Sequence, residues 1–343
     1  MNHTEFFTAL GNGKIEKCYL FEGTEEFTKR AALQALRKQV TAGEFAAMND
    51  VRLQNPPPDE LIAAVETLPF MSERRFVEVR GCTLLTGEKT KDYDEDKAIE
   101  RYQDYFLDLP ETTCLVFYVR GKADGRKKMY NLLKKRATLV SFDELKDGEL
   151  NKWIEQRLKK NGKHISTPCC NQLTFSVGKE LTTLANELDK LAAYMGDRVE
   201  VTPTDIDAVC VKSVEYKVFD LSDALFSGKG SRALAMLDAL LTDGEERLMI
   251  LSVLGRQCRQ LYYTSALLAA GKRLPQIMAE MGVQDFVASK NINLARRYSP
   301  AQLKKIAQIC TETEYLVKSG QMMEQGAVEK VMLQIMGLGK EHT

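Results

Sequence analysis

The chain is 343 residues long, 44% hydrophobic and 28% charged, with Lys+Arg (48) balancing Asp+Glu (48). That is the composition of a globular protein of two or three domains of roughly 100 to 150 residues each, and a net charge of zero supplies no general attraction to nucleic acid. His3, His164 and His342 are the only histidines, which leaves little material for histidine-based catalysis or a histidine metal site.

The N-terminus, Met1-Asn2-His3-Thr4-Glu5, has neither a basic n-region nor an apolar h-region, and no run of about 18 apolar residues follows it. A cytoplasmic protein without membrane contact is expected. Short β-rich runs predict strands over 18–21, 48–53, 76–80, 114–119 and 137–141, with helix-length stretches such as 24–40 and 59–68 between them. That alternation predicts a parallel α/β sheet in a first domain, 1–145. Within it, Pro56-Pro57-Pro58-Asp59 predicts a rigid lead-in and an N-cap for a helix whose Leu61, Ile62, Val65 and Leu68 form one apolar face, and Pro69 ends that helix. Phe70 and Met71 lie beyond the stop, where they either plug the end of the core or project toward a partner. The charged run 87–96 reads as a solvated loop.

After Phe142 the strand signals stop. Leu150, Trp153, Ile154 and Leu158, then Leu181, Leu184, Leu188, Leu191 and Met195, fall at helical spacing, and Thr202-Pro203 opens one more short helix, which predicts a small helical domain over 146–212. From Tyr216 the pattern stays helical, with Leu248, Leu251, Leu254, Cys258, Leu261, Ser265 and Leu268 stepping by three and four, so a third, all-helical domain is expected over 213–343. Eight cysteines are scattered without a CxxC, their one close pair being Cys169-Cys170. Reduced, buried side chains are expected, with no metal site and no disulfide framework.

The segment Gly23-Thr24-Glu25-Glu26-Phe27-Thr28-Lys29-Arg30 stands where a phosphate loop would follow the first strand. Against G-x-x-x-x-G-K-[ST] it keeps Gly23 and Lys29 but has Thr28 for the second glycine and Arg30 for the magnesium-binding hydroxyl. It also sets Glu25 and Glu26 in the turn that would receive an anion, where each like-charge contact costs on the order of a kcal/mol. The strand 114–119, the expected carrier of metal-binding carboxylates, instead runs into Arg120-Gly121-Lys122. A degenerate loop that binds no nucleotide is expected.

Several segments taken together resemble a known family. Cys18-Tyr19-Leu20-Phe21-Glu22-Gly23-Thr24-Glu25-Glu26, Leu68-Pro69-Phe70-Met71-Ser72-Glu73-Arg74-Arg75, Leu184-Ala185-Asn186-Glu187-Leu188-Asp189-Lys190-Leu191 and Val218-Phe219-Asp220-Leu221 fall in the order seen in the DNA polymerase III delta subunit family. The likeness continues through Gly255-Arg256-Gln257, Ala295-Arg296-Arg297-Tyr298-Ser299 and Val317-Lys318-Ser319-Gly320, so it covers nearly the whole chain. Order and spacing carry it, not any single motif.

The resemblance implies an AAA+-type α/β domain with a degenerate nucleotide site, then a helical lid domain and an all-α collar domain that joins a five-subunit ring. It implies a subunit with no catalytic residues and no cofactor, which binds the sliding clamp (beta) and lets one clamp interface open. Its implied partners are the delta prime and gamma/tau subunits, the neighbours that hydrolyse ATP, with primed DNA entering the assembled complex. No Ser-Arg-Cys of the kind that supplies an arginine finger occurs, and Arg80-Gly81-Cys82 lies on the wrong element to replace one.

On the family's pattern the clamp-binding segment falls on Leu68, Pro69, Phe70 and Met71, with Pro69 standing where relatives can carry a bulkier apolar residue. In the collar, Arg256, Arg259, Arg296, Arg297 and Lys318 are candidate DNA contacts, although solvated helix faces explain them equally well. Two alternatives stand beside this reading. One is an AAA+ ATPase whose degenerate loop still works through Lys29; the other is a helical adaptor or stand-alone DNA-binding protein, disfavoured by the zero net charge and the lack of a helix-turn-helix or zinc motif.

Overall fold

Five short strands form a sheet in the computed structural model, which describes residues 1–88, 93–283 and 285–339. They are β1 (Cys18–Glu22), β2 (Asp50–Gln54), β3 (Arg75–Arg80), β4 (Thr113–Tyr118) and β5 (Thr138–Ser141), all parallel, in the order β2-β3-β4-β1-β5. Every residue of the central strand β4 is buried, as a parallel sheet covered on both faces requires.

The helices α1 (His3–Gly11), α2 (Glu26–Val40), α3 (Pro58–Glu66), α4 (Glu95–Tyr105) and α5 (Lys128–Arg136) supply that cover. Side chains alternate across β1: Tyr19 and Phe21 pack with Phe6, Leu33 and Leu36 of α1 and α2, while Cys18 and Leu20 pack with Leu61, Ile99 and Leu133 of α3, α4 and α5. These elements form one compact unit, Met1–Leu150; the second is Asn151–Thr343.

Three local expectations are corrected in the first unit. The second strand begins at Asp50, and Met48 and Asn49 instead belong to a 3₁₀ turn over Ala46–Asn49. The N-cap of α3 is Pro57, with Pro58 as the first helical residue; Asp59 caps nothing and pairs with Arg101 at 2.5 Å. That helix stops at Glu66 because Thr67 is already extended (ψ 120°) ahead of Leu68, which Pro69 excludes from helical geometry. Leu68 therefore leaves the apolar face, which is reduced to buried Leu61 and Val65 with Ile62 half-buried. Of the charged run 87–96, residues 89–92 lie outside the described residues, while Asp94 caps α4 by accepting from the backbone N–H groups of Asp96 and Lys97.

The second unit is helical throughout its described residues: α6 (Asp147–Lys160, which begins at the end of the first unit), α7 (Thr167–Val177), α8 (Leu181–Tyr194), α9 (Pro203–Val209), α10 (Val214–Phe226), α11 (Gly230–Thr242), α12 (Arg247–Ala269), α13 (Leu274–Met281), α14 (Asp285–Ala295), α15 (Pro300–Lys318) and α16 (Ala327–Gly339). The stripe on α12 is consumed inside this unit: Leu251, Leu254, Cys258 and Leu261 share a core with Val218 and Leu221 of α10, Ile306 and Cys310 of α15 and Val331 and Ile335 of α16. At Gly255 a Cβ would stand 3.6 Å from the Cβ of Cys310, an ordinary contact, so α12 and α15 meet there without requiring glycine. On α7, the Phe175 ring meets Phe219 and Tyr216 of α10 edge-on at 5.0 and 5.3 Å. All eight cysteines are free and buried. The fold is thus the expected parallel α/β sheet followed by helices. Among the described residues no helix is long and apolar enough to cross a membrane.

Candidate functional site

Three residues separate β1 from α2, and they leave no open phosphate cradle. Gly23 adopts φ +122°, and a Cβ there would lie 2.1 Å from the carbonyl oxygen of Phe142, so only glycine fits beneath that residue. The backbone N–H of Gly23 donates to Gly121 O at 2.8 Å and that of Glu25 to Phe142 O at 2.9 Å. At the N-terminus of α2, the carboxylate of Glu25 accepts from the N–H of Phe27 at 3.0 Å and fills the place an anion would take.

Lys29 is the fourth residue of α2, not a loop residue, and its side chain is fully buried. Its Nζ donates to Gly23 O and Val119 O, both at 2.7 Å, and lies 2.6 Å from Glu26 Oε1. Two hydrogen bonds and one ion pair thus hold the ammonium. Burial lowers the Lys29 pKa from its ordinary value against the pull of Glu26. Burial alone would raise the Glu26 carboxyl, but hydrogen bonds from Lys29 and Tyr118 outweigh it and hold that pKa low. Thr28 is buried on α2 and Arg30 is exposed beside Glu26 at 4.0 Å, so neither helps build a metal site. Next to β1, β4 runs into Val119 and Arg120 without a carboxylate; on β3, Glu78 is fully buried and paired with Arg37, Arg52 and Arg80.

The turn between α3 and β3 presents the opposite character. Leu68, Phe70 and Met71 are 75%, 50% and 76% exposed, with Pro69 half-buried between them. Met71 takes φ +50°, which is sparsely populated for a side-chain-bearing residue. Two further exposed residues lie beside the turn, Phe45, which the sequence left unassigned, and Met48, which it placed in a strand. The Phe45 ring meets Phe70 edge-to-face at 5.2 Å, and Met48, whose carbonyl accepts from Arg75 at 3.1 Å, lies in the same 3₁₀ turn region. A third, Asn49, is fully buried: its Oδ1 accepts from Phe70 N at 2.7 Å, and its Nδ2 donates to Phe70 O at 2.8 Å and Phe45 O at 3.2 Å. The sequence reading placed it inside the strand 48–53, so nothing there marked it out.

The collar candidates fall into two groups. Glu314 on α15 gathers Lys318 at 2.6 Å, Arg259 at 3.8 Å and the hydroxyl of Ser252 at 2.8 Å. Burial pushes the Glu314 carboxyl up, but the Lys318 and Ser252 hydrogen bonds prevail and hold its pKa below the ordinary value. Two of the five cations thus balance a local anion. Arg256, Arg296 and Arg297 are exposed and make no ion pair among the described residues; Arg296 helps line a surface pocket with Lys272 and Arg273. Among the described residues no cluster of three His, Cys, Asp or Glu side chains is arranged to hold a metal.

Comparison with known proteins agrees with the order of these elements. Residues 19–143 match the family described as DNA polymerase III, delta subunit, and residues 215–335 match its C-terminal domain. The chain is 28% identical over 336 residues to the DNA polymerase III subunit delta of Bacillus subtilis, covering 97% of this chain and 96% of that protein. It is 24% identical over 208 residues to the Escherichia coli subunit delta, covering 60% of each. The solved structure of the Bacillus subtilis DNA clamp loader delta protein superposes with a TM-score of 0.57 at 27% identity, covering 98% of this chain and 99% of that one. Matched through both its sheet unit and its helical unit, the chain belongs to the DNA polymerase III delta subunit family.

Proposed function

We propose that the chain is the clamp-loader subunit that binds the bacterial sliding clamp and opens one of its interfaces for loading onto primed DNA, without chemistry of its own. The observation that carries this reading is the apolar turn of Leu68, Phe70 and Met71, held out from the sheet where the fold gains little by burying it. Such a rigid aromatic anchor with flexible apolar neighbours suits insertion into a partner's pocket. Residues 1–145 would then be the clamp-binding domain, 146–212 the lid and 213–343 the collar that meets the delta prime and gamma/tau subunits in the cytoplasm.

The filled loop around Gly23 and Lys29 supports a subunit that leaves nucleotide to its neighbours and counts against the ATPase alternative. Within the collar, Arg256, Arg296 and Arg297 are better placed for DNA phosphates than Arg259 and Lys318, which share Glu314. A pull-down of the full chain against the purified clamp without nucleotide tests the reading; a 1:1 complex is expected. Failure to bind unless ATP is added would overturn it.

A further inference from the structure

We infer that Asn49 is the positioning residue of the clamp-binding turn, fixing Phe70 by imitating one more rung of the sheet. The inference rests on the clamp-binding reading given above. β2 and β3 pair in register from Asp50 opposite Phe76, and ahead of that rung the two chains diverge into turns. Asn49 bridges the gap with its side chain. Its amide presents the acceptor and donor of a peptide group, and both are used on the main chain of a single residue: Phe70 N to Oδ1 at 2.7 Å and Nδ2 to Phe70 O at 2.8 Å.

The side chain is fully buried, and its second amide proton goes to Phe45 O at 3.2 Å, so the three bonds fix which end of the amide faces which partner. The same side chain therefore holds the backbones of both residues whose rings meet edge-to-face at 5.2 Å. This clamps a segment that would otherwise relax: Met71 is held at φ +50°, a conformation that persists only where neighbouring contacts impose it. A wedge fixed before it meets its pocket loses less freedom on binding. Asn49 touches no clamp atom in this scheme; it acts through Phe70.

The test is a double-mutant cycle on the full chain, read as affinity for the cognate sliding clamp, with amide hydrogen exchange at Phe70 measured on the unaltered protein. The Phe70 amide is expected to exchange slowly although its ring is half exposed. Asn49→Ala should weaken clamp binding about tenfold, as loss of two such hydrogen bonds and of the fixed turn implies. Asn49→Asp, which keeps the acceptor but turns an oxygen toward the Phe70 and Phe45 carbonyls, should do no better. On a Phe70→Ala background Asn49→Ala should cost no more than about twofold further, because the group it positions is gone. If the two losses multiply, or Asn49→Ala binds like the unaltered chain while Phe70→Ala does not, the positioning role is overturned alone. Unchanged binding by Phe70→Ala would overturn the clamp-binding reading and this inference with it. Fast exchange at Phe70 would refute the inference even if neither Asn49 variant folds.

Discussion

Truncating Phe70 separates a docking residue from a core plug in one variant measured twice. The residue is 50% exposed, so of roughly 200 Å² that an aromatic residue can bury about 100 Å² is left for a partner to cover. At about 25 cal/mol per Å² that area is worth about 2.5 kcal/mol, or a loss of about sixtyfold in affinity on Phe70→Ala. The fold loses much less. Its main aromatic contact is the edge-to-face meeting with Phe45 at 5.2 Å, worth about 1 kcal/mol, which lowers the melting temperature of a unit this size by about 2 to 4 °C. Titration calorimetry of the full chain against the clamp, beside a thermal melt, reads both numbers. Clamp affinity unchanged with a melt lowered by about 10 °C or more would refute the reasoning, because that is the signature of a residue filling the core.

Calorimetry with ATP and Mg²⁺ should show no binding at micromolar concentrations; a clear isotherm would reverse the reading of the loop. Lys29→Ala should destabilise the first unit by roughly 2 to 4 kcal/mol in urea unfolding, since it strands two buried carbonyls and Glu26; stability unchanged would mean the lysine is not structural. Gly23→Ala should lower the melt by more than any other single methyl added to this loop, because its Cβ meets Phe142 O at 2.1 Å at φ +122°. Glu180 caps α8, and although burial pushes its carboxyl up, hydrogen bonds from Thr182 and Thr183 bring its pKa down from 4.5 to about 2. A depressed folded-state value means its stabilisation is present above the unfolded pKa and lost as pH falls through the folded one. Glu180→Ala should therefore melt lower at pH 7 by an amount set by about 1 kcal/mol or less for an exposed cap, and the gap should close between about pH 4.5 and about 2.

The alternation of strand and helix was legible because a parallel sheet covered on both faces needs apolar runs, and those of β1 and β4 stand out as such, while the edge strand β2 (Asp50–Gln54) and β3 (Arg75–Arg80) carry charged residues among their β-branched and aromatic ones. Edges were less legible. Met48 reads as strand by composition, yet a chain that must turn to reach the sheet places it in a 3₁₀ turn. The charged run hides α4, whose buried Ala98, Ile99 and Tyr102 begin only after its cap. In the turn between α3 and β3, Pro69 marked the place where Leu68, Phe70 and Met71 are exposed, but Phe45 and Asn49 are 25 and 21 residues from Phe70 in sequence, and a hydrogen bond across that interval leaves no local pattern. Lys29, kept open as an alternative phosphate ligand, shows a related limit: a motif gives spacing but not that the amine turns inward to the backbone.

Because the loop after β1 is filled by the chain's own groups, restoring the spelling of a phosphate loop would not by itself open one. Replacing Thr28 by glycine and Arg30 by threonine would restore the letters of the motif while Phe142 still lay over Gly23 and Glu25 still occupied the helix end. Lys29 would still be bound to two carbonyls, and freeing it would strip the first unit of an internal tie. Opening a phosphate cradle here would therefore take several changes made together, not the two letters alone.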